Sequence, residues 1–362
     1  MLGLVACSGS DSDSSPAATG AATTDTETAT TEPAATAPDT TGVDTTTPET
    51  TVVDTTTPET TAPETSTTLA PSDPLIGIGD VTVVAEGLGF LEGPQWSPDS
   101  GTLLFTELFT TRGATFAEQP GIIYELGAGD ELSIARASGP TANGLEIAED
   151  GTFYATQPGA RRVAEIGDDG VETAVAELFD GKRFNGPNDV VAAADGSLYF
   201  TDPEPLAEAI DAELGFRGAF RVGADGEVTV VYPGDNVGFP NGIGLSPDQT
   251  RLYVSDSATG KIWAIDLDPD GTPSEPVEFA MMEGLPDGIC LDQAGNVYSS
   301  SIGVGVEVFA PDGTKWGTIP LPSPGFGEIG SPSNCAFGGD DGLDLYITTD
   351  GILYRVSLAP PA

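Results

Sequence analysis

Six polar residues, each followed by a short apolar strand, a turn and a second strand, recur along the chain. Each carries a side-chain oxygen and two are carboxylates; we call them the start residues, and they are Glu92, Asn143, Asn188, Asn241, Asp287 and Asn334. If the fold brings them together, their carboxylate and amide oxygens form the kind of ligand set that binds calcium. The alternative is that Asn and Asp before Gly are ordinary turn formers. That alternative does not explain why a polar residue recurs six times at the same position before a strand. Nor does it explain why the first of the six is glutamate, Glu92, which is a poor turn residue.

The overall composition limits the partners and the chemistry. The chain of 362 residues has a formal net charge of -45, with 12 Lys plus Arg against 57 Asp plus Glu. Nucleic-acid and anionic-membrane surfaces need a basic patch, so a cation is the favoured partner. Histidine is absent, which removes the usual general base and the commonest zinc ligand. Chemistry must therefore use carboxylates, amides, hydroxyls or a hard metal.

The spacing of the start residues predicts a closed all-β fold. Successive start residues are 51, 45, 53, 46 and 47 residues apart, close to the length of one four-stranded propeller blade. We number the repeats 1 to 6 in chain order and predict a six-bladed β-propeller over residues 73–362. The first strand of each blade lines the central channel, so the start residues should meet near one mouth.

The two ends of this domain are predicted to complete one blade together. After the sixth hairpin only residues 352–358 remain, which is one strand too few, and an unassigned strand at 81–86 precedes repeat 1. A bare strand edge favours aggregation. We therefore expect the N-terminal strand to close the last blade as its outer edge.

The N-terminal segment has a different character. Residues 1–7 end in Leu4-Val5-Ala6-Cys7, which fits a bacterial lipobox with Cys7 as the lipidation site, and we expect translation to begin upstream. The alternative is an ordinary apolar N-terminus with a chance cysteine. Residues 8–72 are rich in Thr, Pro and acids and lack Lys and Arg, which predicts a disordered stalk. The expected location is extracytoplasmic, with a lipid anchor in the bacterial cell membrane.

Four motifs in the propeller region resemble the SMP-30/gluconolactonase family of six-bladed propellers. They are EGPQW at 92–96, RFNGPND at 183–189, PNG at 240–242 and PDG at 286–288, and the similarity spans essentially the whole domain. The resemblance implies a divalent cation, with Ca²⁺ expected and Zn²⁺, Mg²⁺ or Mn²⁺ as alternatives. The ligands it implies are Glu92, Asn188, Asn241 and Asp287. It also places Arg183 near a substrate-contacting arginine, and we assign Asn143 and Asn334 to substrate binding as well.

The family activity is hydrolysis of lactones, and the residues permit a simple mechanism. The cation polarises the lactone carbonyl and Asp287 activates the attacking water. Two alternatives stay open: a non-catalytic propeller that binds a carbohydrate or protein ligand, and a phosphotriesterase or arylesterase that uses the same site. We expect a monomer that takes a small lactone, binds no nucleic acid and meets the membrane only through its lipid anchor.

Three further segments have structural predictions. Cys290 and Cys335 are offset by about two residues, roughly 6.6 Å along neighbouring strands, which favours buried free thiols over a disulfide. Residues 204–214 have helical composition and are expected to cap one mouth of the channel. Residues 106–119 are expected to form a long loop.

Overall fold

The computed structural model describes residues 73–109, 121–137, 139–203, 212–234, 238–323, 325 and 330–360. These residues form 24 β-strands. In chain order they are β1 Thr82–Ser97, β2 Thr102–Phe109, β3 Ile122–Leu126, β4 Leu132–Arg136, β5 Leu145–Ile147, β6 Phe153–Gln157, β7 Arg162–Ile166, β8 Glu172–Ala176, β9 Leu178–Phe179, β10 Lys182–Arg183, β11 Val190–Ala192, β12 Leu198–Asp202, β13 Arg217–Val222, β14 Val228–Gly234, β15 Pro240–Leu245, β16 Arg251–Asp256, β17 Lys261–Asp266, β18 Val277–Met281, β19 Leu285–Leu291, β20 Val297–Ile302, β21 Gly305–Phe309, β22 Lys315–Ile319, β23 Pro332–Gly338 and β24 Asp344–Ser357.

The sheets are antiparallel meanders that follow the chain order. Four sheets contain four strands each, namely β5 to β8, β11 to β14, β15 to β18 and β19 to β22, and β9 pairs with β10 alone. A further sheet contains six strands in the order β23, β24, β1, β2, β3, β4. The first strands of the repeats contact one another in a ring that runs β1, β5, β11, β15, β19, β23 and back to β1. The predicted all-β propeller is confirmed.

The prediction of six separate blades differs from the structure, because the described residues form five large sheets. The reason is the long strand β1, which belongs to two repeats. Its beginning, from Thr82 to Glu86, pairs with β24 from Arg355 to Ile352. Its remainder, from Phe90 to Ser97, pairs with β2. The predicted N-terminal strand therefore does lie beside the C-terminal strand, but it continues through register shifts into repeat 1 and fuses two sheets.

Asp-Gly turns define the hairpins. In one of them Asp195 Oδ1 accepts a hydrogen bond from the backbone N–H two residues later, at 2.8 Å, and Gly196 has a φ of 83°. Asp150 and Gly151 repeat this arrangement at 2.9 Å and 85°. The aspartate bonds its own turn, and glycine adopts the left-handed conformation without steric cost. The local hairpin signal in the sequence is therefore sufficient to place most strands.

The hydrophobic core lies between adjacent sheets rather than in one central cluster. One example joins repeat 3, through Tyr199 and Ala219, to repeat 4, through Ile243, Leu252 and Val254. Burying each large apolar side chain contributes about 1.5–3 kcal/mol. Each sheet is thus stabilised by its neighbours, and the ring needs all of its members.

Three sequence predictions concern loops and termini. The strand β2 continues to Phe109, so the first residues of the predicted loop 106–119 are strand; its remainder from 110 lies outside the described residues, as do residues 204–211 of the predicted cap. The lipobox and stalk predictions, over residues 1–72, also lie outside them. Within the described part of the chain, we find no helix of the length and apolarity that a membrane crossing requires.

Candidate active site

Five of the start residues lie within three residues of the start of a ring strand, either in it or just before it, and Glu92 lies within the long strand β1. Five of the six are buried, namely Glu92, Asn143, Asn188, Asp287 and Asn334, and Asn241 is half-buried. The backbone N–H groups of Asn143 and Asn188 donate to carbonyls on the second strand of the same repeat, at 2.9 and 2.8 Å. Electrostatic and hydrogen-bond contacts relate Glu92 to Asp287 and Asn334, and Asp287 to Asn241. The convergence of all six residues stays a prediction.

Three carboxylates interact at this end. Burial, together with the nearby charge of Asp189, raises the pKa of Asp287 to about 8, while a hydrogen bond from the Asn241 side chain opposes the shift. Burial, together with the charges of Asp287 and Asp189, raises the pKa of Glu92 well above its usual value. The side chain of Asn334 donates to Asp189 at 3.4 Å and also bonds Glu92. Amide groups thus connect acids that repel one another.

The sequence prediction missed Asp189. Its Oδ1 accepts from the backbone N–H of Val190 at 3.0 Å and its Oδ2 from that of Ile243 at 3.3 Å. Burial raises its pKa to about 6, and these hydrogen bonds oppose the rise. A signal was available: the residue after the start residue is glycine in repeats 1, 2, 4 and 5, and Asp189 breaks that pattern.

The glycines of that pattern are there because neighbouring backbones approach closely. A Cβ on Gly144 would meet the carbonyl oxygen of Asn188 at 3.0 Å and the Asp189 carboxylate at 2.6 Å, and a Cβ on Gly242 would meet the carbonyl oxygen of Asp287 at 2.5 Å. Gly144 and Gly242 do not have the positive φ of a turn glycine. The interpretation of these dipeptides as ordinary turns is therefore wrong at these positions.

Hydroxyl groups connect four of the start residues to the preceding repeat. The side-chain oxygens of four second-strand residues donate to the backbone carbonyl of the next start residue at 2.5 to 3.0 Å. We call this set the hydroxyl belt; it comprises Thr106, Thr156, Thr201 and Ser255. The belt fixes the backbone of the start residues and leaves their side chains unengaged. Ser333 makes a comparable bond to the carbonyl of Leu91, at 2.6 Å, where the ring closes.

Between repeats 5 and 6 a disulfide takes the place of the belt. The equivalent residue, Ser300, is buried, and its hydroxyl has no hydrogen-bond partner among the described residues. Here Cys290 and Cys335 form a disulfide with Cα atoms 5.7 Å apart, so the prediction of free thiols is wrong. The free-thiol prediction assumed regular strands, but β19 has a register shift between Pro286 and Ile289 and β23 has one between Pro332 and Asn334.

The structure does not bring Arg183 into this group. Its side chain is exposed on β10 and donates to the carbonyl of Ala160 at 2.6 Å. Its backbone N–H donates to Glu213 at 3.1 Å. Asn143 is buried, and its carbonyl accepts the belt hydrogen bond from repeat 1. The substrate-binding roles of these residues stay predictions.

A cavity of about 700 Å³ occupies the channel beyond the start residues. Its wall includes Trp96, Leu245 and Phe337 from the far ends of the first strands, and also Asp189 and Asn334. Asp189 and Asn334 line this cavity, whereas the predicted cation ligands Glu92, Asn188, Asn241 and Asp287 are not part of its wall.

The donor set suits an oxygen-preferring divalent cation. Glu92, Asp189 and Asp287 make no ion pair with any described residue, although burying carboxylates together without a positive charge is costly. Within the described ranges, no group of three or more His, Cys, Asp or Glu side chains has the arrangement of a metal site. A cation here would therefore depend on the asparagine amides together with two carboxylates, a combination that calcium accepts.

Comparison with known proteins identifies the family. The model of the SMP-30/Gluconolactonase/LRE-like region matches residues 90–351, which is most of the chain. The chain belongs to this family.

Relatives in the SMP-30/gluconolactonase/LRE-like family include named lactonases. The gluconolactonase of Zymomonas mobilis is 32% identical over 298 residues, which cover 76% of this chain and 80% of that protein. The pentonolactonase XacC of Haloferax volcanii is 32% identical over 270 residues, covering 72% and 81%. Among solved structures, a gluconolactonase from Xanthomonas campestris superposes with a TM-score of 0.67 at 28% identity, covering 77% of this chain and 89% of that one. The predicted family and the predicted lactonase class of hydrolase are confirmed.

Proposed function

We propose that this lactonase opens a sugar lactone and that it does so at the start residues with a bound divalent cation. The observation that carries the proposal is the burial of Glu92 and Asp287 beside Asp189, with amides but no basic side chain as partners among the described residues. The named activities of the gluconolactonase and pentonolactonase relatives support a sugar lactone as the substrate class.

The proposed cation ligands are Glu92, Asn188, Asn241 and Asp287, with Ca²⁺ as the preferred ion because all donors are hard oxygens. A cation held there supplies Lewis-acid polarisation of the lactone carbonyl. Zn²⁺, Mg²⁺ and Mn²⁺ are alternatives for the same donors.

Asp287 is the proposed general base. Its carboxylate takes a proton from water as the water oxygen attacks the carbonyl carbon. The bond between that carbon and the ring oxygen then breaks, and Asp287 returns the proton to the departing ring oxygen. The product is a hydroxy acid, which loses its carboxyl proton to solvent at neutral pH. The hydrogen bond from Asn241 orients the Asp287 carboxylate.

Asn334 is proposed to orient the other acids, because it bonds both Glu92 and Asp189. Its assignment to substrate binding gives way to this role in our proposal. Asn143 and Arg183 remain the proposed substrate contacts.

Two further features of the chain, its number of blades and its cellular location, complete the proposal. We propose that the fused sheet represents two blades, because six first strands close the ring. We also propose an extracytoplasmic, lipid-anchored protein attached through Cys7 by the stalk over residues 8–72. The disulfide between Cys290 and Cys335 supports this location, since such bonds persist in oxidising compartments.

The test is turnover on a panel of five- and six-membered sugar lactones, followed by proton release and corrected for spontaneous opening. Hydrolysis is expected to depend on a divalent cation and to fall by a factor of about 10²–10⁴ in Asp287→Asn. Asp312→Asn, which changes an exposed turn carboxylate, is the control and should retain activity. Full activity of Asp287→Asn would remove Asp287 from the mechanism. Preference for phosphotriesters or aryl esters, or cation binding without any turnover, would favour the alternatives.

A further inference from the structure

Four buried carboxylates hold the backbone just ahead of the four proposed cation ligands. They are Glu107, Asp202, Asp256 and Glu307, which we call the pin carboxylates. Each accepts a hydrogen bond from a backbone N–H two to four residues before a ligand. We infer that the pin carboxylates are positioning residues for the cation site. This inference rests on the proposed function.

Asp202 shows the arrangement most directly. Its Oδ2 accepts from the backbone N–H of Asn185 at 2.8 Å and its Oδ1 from that of Gly186 at 2.6 Å. These two residues immediately precede Pro187 and the ligand Asn188. Each carboxylate oxygen thus holds one peptide group of the segment that leads into the site.

Asp256 performs the same task with one oxygen. Its Oδ1 accepts from the backbone N–H of Phe239, at 2.9 Å, two residues before the ligand Asn241. The same oxygen also accepts from Ala258 at 3.0 Å and from Thr259 at 3.2 Å. Its Oδ2 accepts from a tyrosine hydroxyl at 3.1 Å.

Repeat 1 has its pin carboxylate at the same strand position. Glu107 accepts from the backbone N–H of Gly89, three residues before Glu92, and from the Tyr124 hydroxyl at 3.0 Å. The residue therefore connects the end of β2 to the backbone that enters the site.

In repeat 5 the carboxylate that holds the backbone ahead of the ligand lies on a different strand, β21. The equivalent position is Ser301, whose hydroxyl donates to Glu307 at 2.6 Å. Glu307 in turn accepts from the backbone N–H of Glu283 at 2.9 Å and of Gly284 at 3.4 Å, ahead of Asp287.

The position after the second-strand hydroxyl carries a carboxylate in repeats 1, 3 and 4. It is Gln157 in repeat 2, Ser301 in repeat 5 and Thr349 in repeat 6. Gln157 accepts from Arg162 at 2.6 Å, and the Thr349 hydroxyl donates to the carbonyl of Ile352 at 2.5 Å. In each of the four ligand-bearing repeats, a described hydrogen bond of a buried carboxylate ends on the segment that leads into the ligand.

The physical reason is that a cation site requires its ligands within a narrow range of positions. Groups that orient metal ligands typically change metal affinity by roughly 10- to 100-fold when they are removed. A carboxylate makes stronger hydrogen bonds to N–H groups than a neutral acceptor does, and those bonds offset part of the cost of its burial. The pin carboxylates thus reduce the freedom of the ligand backbones before the cation binds.

Two conservative substitutions separate positioning from folding. Both oxygens of Asp202 accept hydrogen bonds from backbone N–H groups. In Asp202→Asn one of these oxygens becomes an NH₂ group, which cannot accept and so faces a backbone N–H donor. Asp256→Asn keeps the oxygen that holds the loop, and its NH₂ faces a tyrosine hydroxyl that can reverse its role. Calcium affinity of chelator-treated full-length protein is measured by titration calorimetry at about pH 8, above the Asp202 pKa of about 7.

We expect Asp202→Asn to weaken calcium binding roughly 10- to 100-fold and Asp256→Asn, which keeps the oxygen that holds the loop, to weaken it less, with cooperative melting in both. The control Asp312→Asn, at an exposed turn, should leave calcium binding unchanged. Equal affinity of folded Asp202→Asn and the wild type would overturn the inference alone. Absence of calcium binding by the wild type would overturn both the proposed cation and this inference. If Asp202→Asn does not fold, Asp256→Ala replaces it: weaker binding than Asp256→Asn supports the inference, and equal binding overturns it.

Discussion

Removing the disulfide between Cys290 and Cys335 is expected to lower the free energy of unfolding by about 4 kcal/mol. The bond closes a loop with a sequence separation of 45 residues. Cross-linking such a loop removes about 13 cal/mol/K from the unfolded ensemble, which is about 4 kcal/mol at 25 °C. A domain of about 290 residues unfolds with an entropy of about 600 cal/mol/K, so the Tm should fall by about 7 °C. The unpartnered hydroxyl of Ser300 offers no substitute connection between the two repeats.

The assay is scanning calorimetry of the full chain, comparing the wild type with a variant that carries Cys290→Ala and Cys335→Ala. Treatment of the wild type with a phosphine reductant should reproduce the shift. Alkylation and peptide mapping count the free thiols and distinguish these two cysteines from Cys7. A double variant that melts within about 1 °C of the wild type would refute the loop-entropy argument. Free thiols at both positions before reduction would refute the bond itself.

Three further outcomes are expected. Ser255→Ala should destabilise by about 1–3 kcal/mol because a buried carbonyl loses its donor, whereas Ser300→Ala, at the equivalent position, should be neutral or stabilising in denaturant unfolding. Gly242→Ala, whose Cβ would lie 2.5 Å from a backbone oxygen, should lower the Tm, and Gly127→Ala, with its nearest contact at 3.7 Å, should not. Burial raises the pKa of Asp202 to about 7, so its stabilising contribution is complete below about pH 4 and is lost as the pH rises through 7. The Tm of Asp202→Asn relative to the wild type should therefore rise between pH 4 and 8. A Tm difference that stays constant over this range would contradict this expectation.

The sequence was sufficient to predict the ring of repeats, because residues close together in the chain specify each hairpin. Alternating apolar residues and short turns, most of which contain glycine, define each hairpin within about a dozen positions, and their recurrence predicts a propeller. The fusion of two sheets through β1 was not predictable in this way. It depends on register shifts near Phe90, where the strand changes partner from β24 to β2.

Only those residues of the candidate site that follow the repeat pattern could be predicted from the sequence. The six start residues follow that pattern, whereas Asp189 departs from it and was missed. The disulfide was missed for a related reason. Counting residues from Asp287 to Cys290 assumes a regular strand, but this stretch contains a register shift. Contacts between repeats, such as that of Gly242 with the Asp287 carbonyl, depend on the closed ring and have no signature in a single hairpin.

The hydroxyl belt has a consequence for how this fold can change over evolutionary time. Its hydrogen bonds end on main-chain carbonyls, which every amino acid possesses. A mutation at Asn143 or Asn188 therefore alters what the channel mouth presents to a substrate without removing a connection between repeats. New specificities can arise at the start residues while the belt preserves the architecture that carries them.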